Sequence, residues 1–153
     1  MKIQIKSRAR IEELASKPFT ERTALISITD YGYDFAELRN KPDHLLQLAF
    51  DDIDNDVFVD ELGRKPTEEE RISIENKYHM LTDEQAKQIA YFIHKVYDKV
   101  EVIICQCEHG QSRSAAIAAA ILEIKSKRGI EVFADDRYYP NKTIFKKVLK
   151  ATK

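Results

Sequence analysis

The stretch Val100-Glu101-Val102-Ile103-Ile104-Cys105-Gln106-Cys107-Glu108-His109-Gly110-Gln111-Ser112-Arg113-Ser114 passes from an apolar run into a glycine-containing loop and on into an alanine-rich segment ending near Lys127. Val100 to Cys105 has the length and β-branched content of a buried strand, and Ser114 to Lys127 reads as a helix that is apolar on most of its faces. A strand, a tight loop and a helix N-terminus make an anion site, because the first N–H groups of a helix have no partner within it and its dipole favours negative charge. Cys107 offers a nucleophile, Gly110 a turn, Arg113 a planar cation that can hold two oxygens, and Ser114 a hydroxyl donor. Free N–H groups, the helix dipole and Arg113 would all attract negative charge to the Cys107 end of the loop. The chemistry suggested is phosphoryl transfer.

Upstream, Lys2 to Lys6 alternates as a short edge strand, and Ser7 caps an expected helix over Arg8 to Ser16 that Pro18 stops. Ala24 to Ile28 is a strand ending in the turn-rich Thr29-Asp30-Tyr31-Gly32, with a short segment around Phe35 to Leu38 beyond it. His44 to Phe50 is the next apolar run, ending at Asp51-Asp52. Residues 53–80 form a polar excursion, in which Thr67-Glu68-Glu69-Glu70 is a capping box opening a helix to about Tyr78. A second box, Thr82-Asp83-Glu84-Gln85, opens an amphipathic helix to about Tyr97.

Downstream, Gly129 is the expected helix stop, and Pro140-Asn141 opens a last amphipathic helix carrying Ile144, Phe145, Val148 and Leu149. Strands alternating with helices predict an α/β fold: a mostly parallel central sheet with helices on both faces, binding ligand beyond the carboxyl ends of its strands. The Asp51-Asp52 pair and the Cys107 loop both fall at such ends.

The 153 residues make a single domain, 1–153, with 53–80 reading as an insertion. A chain of this size buries roughly 70% of its unfolded surface. The 25 basic and 26 acidic residues leave a formal charge of -1, which gives no electrostatic case for nucleic acid or an anionic membrane. Cys105 and Cys107 do not form a disulfide framework, and free thiols point to a reducing, cytoplasmic setting. No uncharged apolar run reaches the roughly 18 residues of a membrane span. Cys105 reads as a small buried hydrophobe. A metal cluster of Cys105, Cys107 and His109 lacks a second ligand group at zinc-like spacing. A calcium loop from Asp52, Asp54 and Asp56 fails, because Val57 and Gly63 stand where glycine and glutamate are required.

The pattern Cys107-x-x-Gly110-x-x-Arg113-Ser114, after an apolar strand and before a helix, resembles the signature of the cysteine-dependent protein tyrosine phosphatases, especially their compact dual-specificity branch. The segment opened by Pro140-Asn141 is similar to the one that follows the loop helix in that branch. The resemblance implies a phosphatase needing no metal or cofactor. Cys107 would attack phosphorus, Arg113 and the amides of Glu108, His109, Gly110, Gln111 and Ser112 would hold the phosphate, and Ser114 would assist departure of the sulfur. In the family the general acid lies some thirty residues before the cysteine, which falls near Glu75, within an expected helix. Leu46 to Asp52 resembles the family's strand-then-aspartate segment better, making Asp52 the preferred acid and Asp51 the alternative. The family's histidine before the nucleophile is replaced by Gln106, which keeps one donor and one acceptor. The implied partner is a phosphorylated protein or a small phosphoester. Phosphotyrosine is favoured, and no lysine lies among the loop's variable positions to meet extra phosphates. A phosphate-recognition module without turnover and a phosphatase for a non-protein phosphoester are the alternatives. Tyr31, Tyr33 and Phe35 could rim a phosphotyrosine pocket, although packed aromatics are the commoner case.

Overall fold

The computed structural model describes residues 1–153. Four strands, β1 (Lys2–Lys6), β2 (Thr23–Thr29), β3 (His44–Ala49) and β4 (Val102–Gln106), form one sheet in the order β1-β4-β2-β3. All three pairings are parallel, with helices in the β1–β2 and β3–β4 connections and a long irregular crossover between β2 and β3. β2 and β4 occupy the two inner positions and are buried along their whole length, which explains their nearly unbroken apolar sequences.

Seven helices complete the chain: α1 (Arg8–Leu14), α2 (Asp56–Leu62), α3 (Glu68–Lys77), α4 (Asp83–Val96), α5 (Arg113–Ser126), α6 (Ile130–Phe133) and α7 (Lys142–Ala151). Successive strand residues point to opposite faces, and the core divides accordingly. Ala24, Ile26, Ile28, Ile103 and Cys105 pack with Ile89, Ile93, Ile117, Ile121, Ile144 and Val148 of α4, α5 and α7. Leu25, Val102 and Ile104 face the other way, against Ile11, Ala15, Ala36 and Leu38. No helix is long and apolar enough to cross a membrane.

Both expected capping boxes are formed, Thr67 with Glu70 and Thr82 with Gln85. Gln85 also donates to the carbonyl of Ala49 at 3.0 Å, fastening the start of α4 to the end of β3. Several boundaries differ from the sequence reading. β4 begins at Val102 and includes Gln106, because Gln106 is in register with Lys6 on one side and Ser27 on the other. α5 ends at Ser126 and is capped by Lys127 in the left-handed conformation, φ 59°, whereas Gly129 has φ -56° and leads into α6. Glycine is needed there for space, since a Cβ would lie 2.7 Å from the carbonyl oxygen of Ala119. α1 stops at Leu14, two residues short of expectation, and Phe35 to Leu38 forms no regular element although Ala36 and Leu38 are buried. α2 was not legible in the excursion. Phe58 of α2 packs with Ile74 and Met80 in a small apolar cluster of its own.

Candidate active site

The loop from Cys107 to Ser112 leaves the carboxyl end of an inner strand and runs into α5. It is held from below by the β1–α1 junction. The amide of Cys107 donates to the carbonyl of Lys6 at 3.3 Å, and the amide of Arg8 donates to the carbonyl of Glu108 at 3.1 Å. Gly110 has φ +68°, and a Cβ on it would lie 2.7 Å from the backbone nitrogen of Ser7. Glycine is therefore required twice over, by the left-handed backbone and by the close approach. Gln111 and Ser112 are tied on the other side, their carbonyls accepting from the amides of Tyr139 at 2.8 Å and Asn141 at 3.3 Å.

With its carbonyls engaged outward, the loop leaves its donors free. No backbone N–H from Glu108 to Arg113 has an acceptor within the protein. Arg113, 5% exposed, donates from Nη1 to the carbonyl of Phe50 at 2.8 Å, and the same atom lies 2.7 Å from Oδ1 of Asp30. Its Nε is buried without any partner. An unpaired donor on a buried charged group costs about 1–3 kcal/mol or more, a penalty an oxyanion at that nitrogen would remove. Free amides along one loop, with an unpartnered guanidinium nitrogen at its end, are the donors that a tetrahedral anion requires.

Cys107 is 3% exposed, and its Sγ lies 3.1 Å from Oγ of Ser114, within hydrogen-bond reach. Cys105, two residues back, is fully buried. Burial pushes its thiol pKa up, and the neighbouring Cys107 adds to the effect, so Cys105 stays a protonated core residue. Gln106 takes the place of the expected histidine as a buried bridge. Its Oε1 accepts from the Ser27 hydroxyl at 2.5 Å, and its Nε2 donates to the carbonyl of Cys107 at 3.1 Å.

Asp52 follows β3 and reaches the same loop: its Oδ1 accepts from Oγ of Ser112 at 2.8 Å and from Nδ2 of Asn141 at 2.9 Å. Asp51 turns elsewhere, accepting from the amide of Tyr31 at 2.9 Å. Glu75, at the family's usual spacing, is buried between Arg71 at 2.7 Å and Lys147 at 2.8 Å in an ion network joining α3 to α7. The side chains of His109 and Gln111 are exposed at the rim, and that of Glu108 is 3.6 Å from Nη1 of Arg8. A cavity of about 510 Å³ opens beside the loop between Asp52, Ser112, Tyr139 and Asn141. Tyr31 and Tyr33 are exposed rather than packed, and the Tyr31 ring stacks on His79 with centroids 3.6 Å apart.

Four contributors were missed in the sequence: Asp30 on Arg113, Arg8 beneath the loop, Ser27 behind Gln106, and Asn141 on Asp52. Asp30, Arg8 and Asn141 lie at the ends of elements and Ser27 within β2, and each does its work across the fold, so no local spacing marks it.

The chain superposes on the crystal structure of Tk-PTP in the active form with a TM-score of 0.54 and 15% sequence identity, over 99% of this chain and 92% of that one. It has a protein tyrosine phosphatase-like fold. The crystal structure of PTPMT1 is matched with a TM-score of 0.45 at 13% identity, covering 99% of this chain and 89% of that one. No protein-family model and no curated protein matches the sequence. The tyrosine phosphatase-like fold agrees with the expected α/β architecture, and within it the Cys107 loop sits at the carboxyl end of an inner strand.

Proposed function

We propose that the protein is a phosphomonoester hydrolase working through a phosphocysteine, with phosphotyrosine in proteins as its main substrate. The observation that carries this reading is the run of unpaired donors, Glu108 to Arg113 amides plus Arg113 Nε, in the loop that joins Cys107 to the start of a helix. In the first step the Cys107 sulfur forms a bond to phosphorus as the phosphorus–oxygen bond to the leaving group breaks. Asp52 gives its proton to the departing oxygen. In the second step water attacks phosphorus, Asp52 takes a proton back, and the sulfur leaves with a hydrogen bond from Ser114. The loop amides and Arg113 hold the equatorial oxygens throughout, the preorganised electrostatic stabilisation that lowers both barriers.

The exposed rings of Tyr31, Tyr33 and Tyr139 favour an aryl ester over a polyanionic one, and the loop brings no lysine to meet further phosphates. The free thiols suit a reducing, cytoplasmic setting.

The test is hydrolysis of 4-nitrophenyl phosphate and of phosphotyrosine, phosphoserine and phosphothreonine peptides, with and without EDTA. Activity is expected to survive chelation, to vanish in Cys107→Ser, and to fall about 10²–10⁴-fold in kcat in Asp52→Asn. Turnover that persists in Cys107→Ser but is abolished by EDTA would falsify the mechanism. Vanadate binding with no turnover at any pH would leave a phosphate-recognition module instead.

A further inference from the structure

We infer that Asn141 is a positioning residue for Asp52, fixing the carboxyl so that Oδ2 is the oxygen that carries the transferable proton. The inference rests on the reading of Asp52 as the general acid. Asp52 itself is solvent-exposed and follows a strand end, so nothing in its own backbone holds its side chain. Asn141 is 6% exposed, and every polar group it has is committed. Its Nδ2 donates to Oδ1 of Asp52 at 2.9 Å and to the carbonyl of Ile53 at 3.2 Å. Its Oδ1 accepts from the amide of Ile144 at 3.0 Å, capping α7, and its own amide donates to the carbonyl of Ser112 in the phosphate loop.

This arrangement admits only one orientation of the carboxamide. Rotating it by a half turn would set its oxygen against Asp52 and the Ile53 carbonyl, and its NH2 against the Ile144 N–H. The cap therefore fixes the donor, and the donor fixes the acid. Ser112 donates to the same oxygen at 2.8 Å, so both donors converge on Oδ1 while Oδ2 has no protein partner. In a protonated carboxyl the oxygen that accepts two donors is the carbonyl oxygen, and the hydroxyl is the other. Serine or aspartate at position 141 would cap α7 equally well, but neither would supply the carboxamide donor.

The experiment exploits that difference. kcat/KM is measured for phenyl phosphate, whose leaving group needs an acid, and for 4-nitrophenyl phosphate, whose leaving group needs one far less. Their ratio is independent of the fraction of folded enzyme, so partial unfolding of a variant does not obscure the result. In Asn141→Ser the ratio is expected to fall about tenfold, as misplacing a catalytic group does, with melting near that of wild type. Asn141→Asp, which also keeps the cap, should lower the ratio as well. In an Asp52→Asn background Asn141→Ser should lower it no further, because the two substitutions then remove the same contribution. A ratio that falls in Asp52→Asn but stays at the wild-type value in Asn141→Ser would reduce Asn141 to a helix cap and overturn the inference alone. A ratio unchanged in Asp52→Asn would overturn both the inference and the acid assignment.

Discussion

The Ser27 hydroxyl donates to Oε1 of Gln106 at 2.5 Å, with both residues essentially inaccessible to solvent. The other end of that carboxamide donates to the carbonyl of Cys107, so β2 and β4 jointly fix the backbone of Cys107. Gln106→Met preserves much of the volume but orphans the Ser27 hydroxyl and the Cys107 carbonyl, at about 1–3 kcal/mol for each buried group. Urea unfolding should register that loss together with a lower kcat. The double variant Ser27→Ala/Gln106→Met should be less destabilised than the sum of the single changes, because fewer polar groups are then left without partners. Additive losses would mean the bridge is not formed.

Gly110→Ala combines an unfavourable φ with a 2.7 Å approach to the Ser7 nitrogen and 2.8 Å to the Lys6 carbonyl carbon, neither of which is a side chain able to swing aside. The cost should exceed about 1 kcal/mol, since alanine at positive φ loses at least that before any clash is counted. Vanadate affinity, which requires converging amides, should fall with it. Wild-type vanadate binding in this variant would show that the loop amides are not the cradle.

Lys147 lies 2.8 Å from Glu75 and donates to the carbonyl of Leu81 at 2.5 Å. Lys147→Met strips the almost fully buried Glu75 of one of its two cations and should cost about 3–5 kcal/mol, the range found when one partner of a buried pair is deleted. The exposed Lys150→Met, one turn along the same helix, should change stability by less than about 0.5 kcal/mol. Chemical denaturation of the two variants side by side checks the contrast.

At the start of α3 the Glu70 carboxyl pKa is lowered from 4.5 to about 2, first by the Arg64 guanidinium and then by the Thr67 cap. A lowered folded-state pKa means that this contribution is complete above 4.5 and is lost as pH falls from there through about 2. An NMR titration of the Glu70 carboxyl should give a midpoint well below that of an unstructured glutamate. Arg64→Ala should move the midpoint upward. A midpoint near 4.5 in the intact protein would rule out both the Arg64 pair and the capping interaction.

The parts of the fold that were legible in the sequence rest on local rules. Both capping boxes, the two inner strands and the helix opened by Pro140-Asn141 follow from side-chain spacing alone. The same locality made the candidate loop readable, because Cys107, Gly110 and Arg113 lie within a few positions of one another. Residues whose role depends on partners far along the chain were not readable. Asp30 looks like a turn residue until β2 and β4 are set side by side, and Asn141 looks only like a cap until β3 brings Asp52 to it. Short α2 left no trace because it spans barely two turns within a charged stretch and only Phe58 is buried.

The grip of the β1–α1 junction on the Cys107 loop also governs when the site can exist during synthesis. Lys6, Ser7 and Arg8 are made early, the cysteine loop late, and the Asn141 that closes the other side later still. A nascent chain must carry the first pieces unpaired until the Cys107 loop and Asn141 have followed, and parallel strands so distant in sequence are slow to pair. The proposed phosphate site therefore has no early, partly built form, and activity at it should appear only once Asn141 has joined the fold.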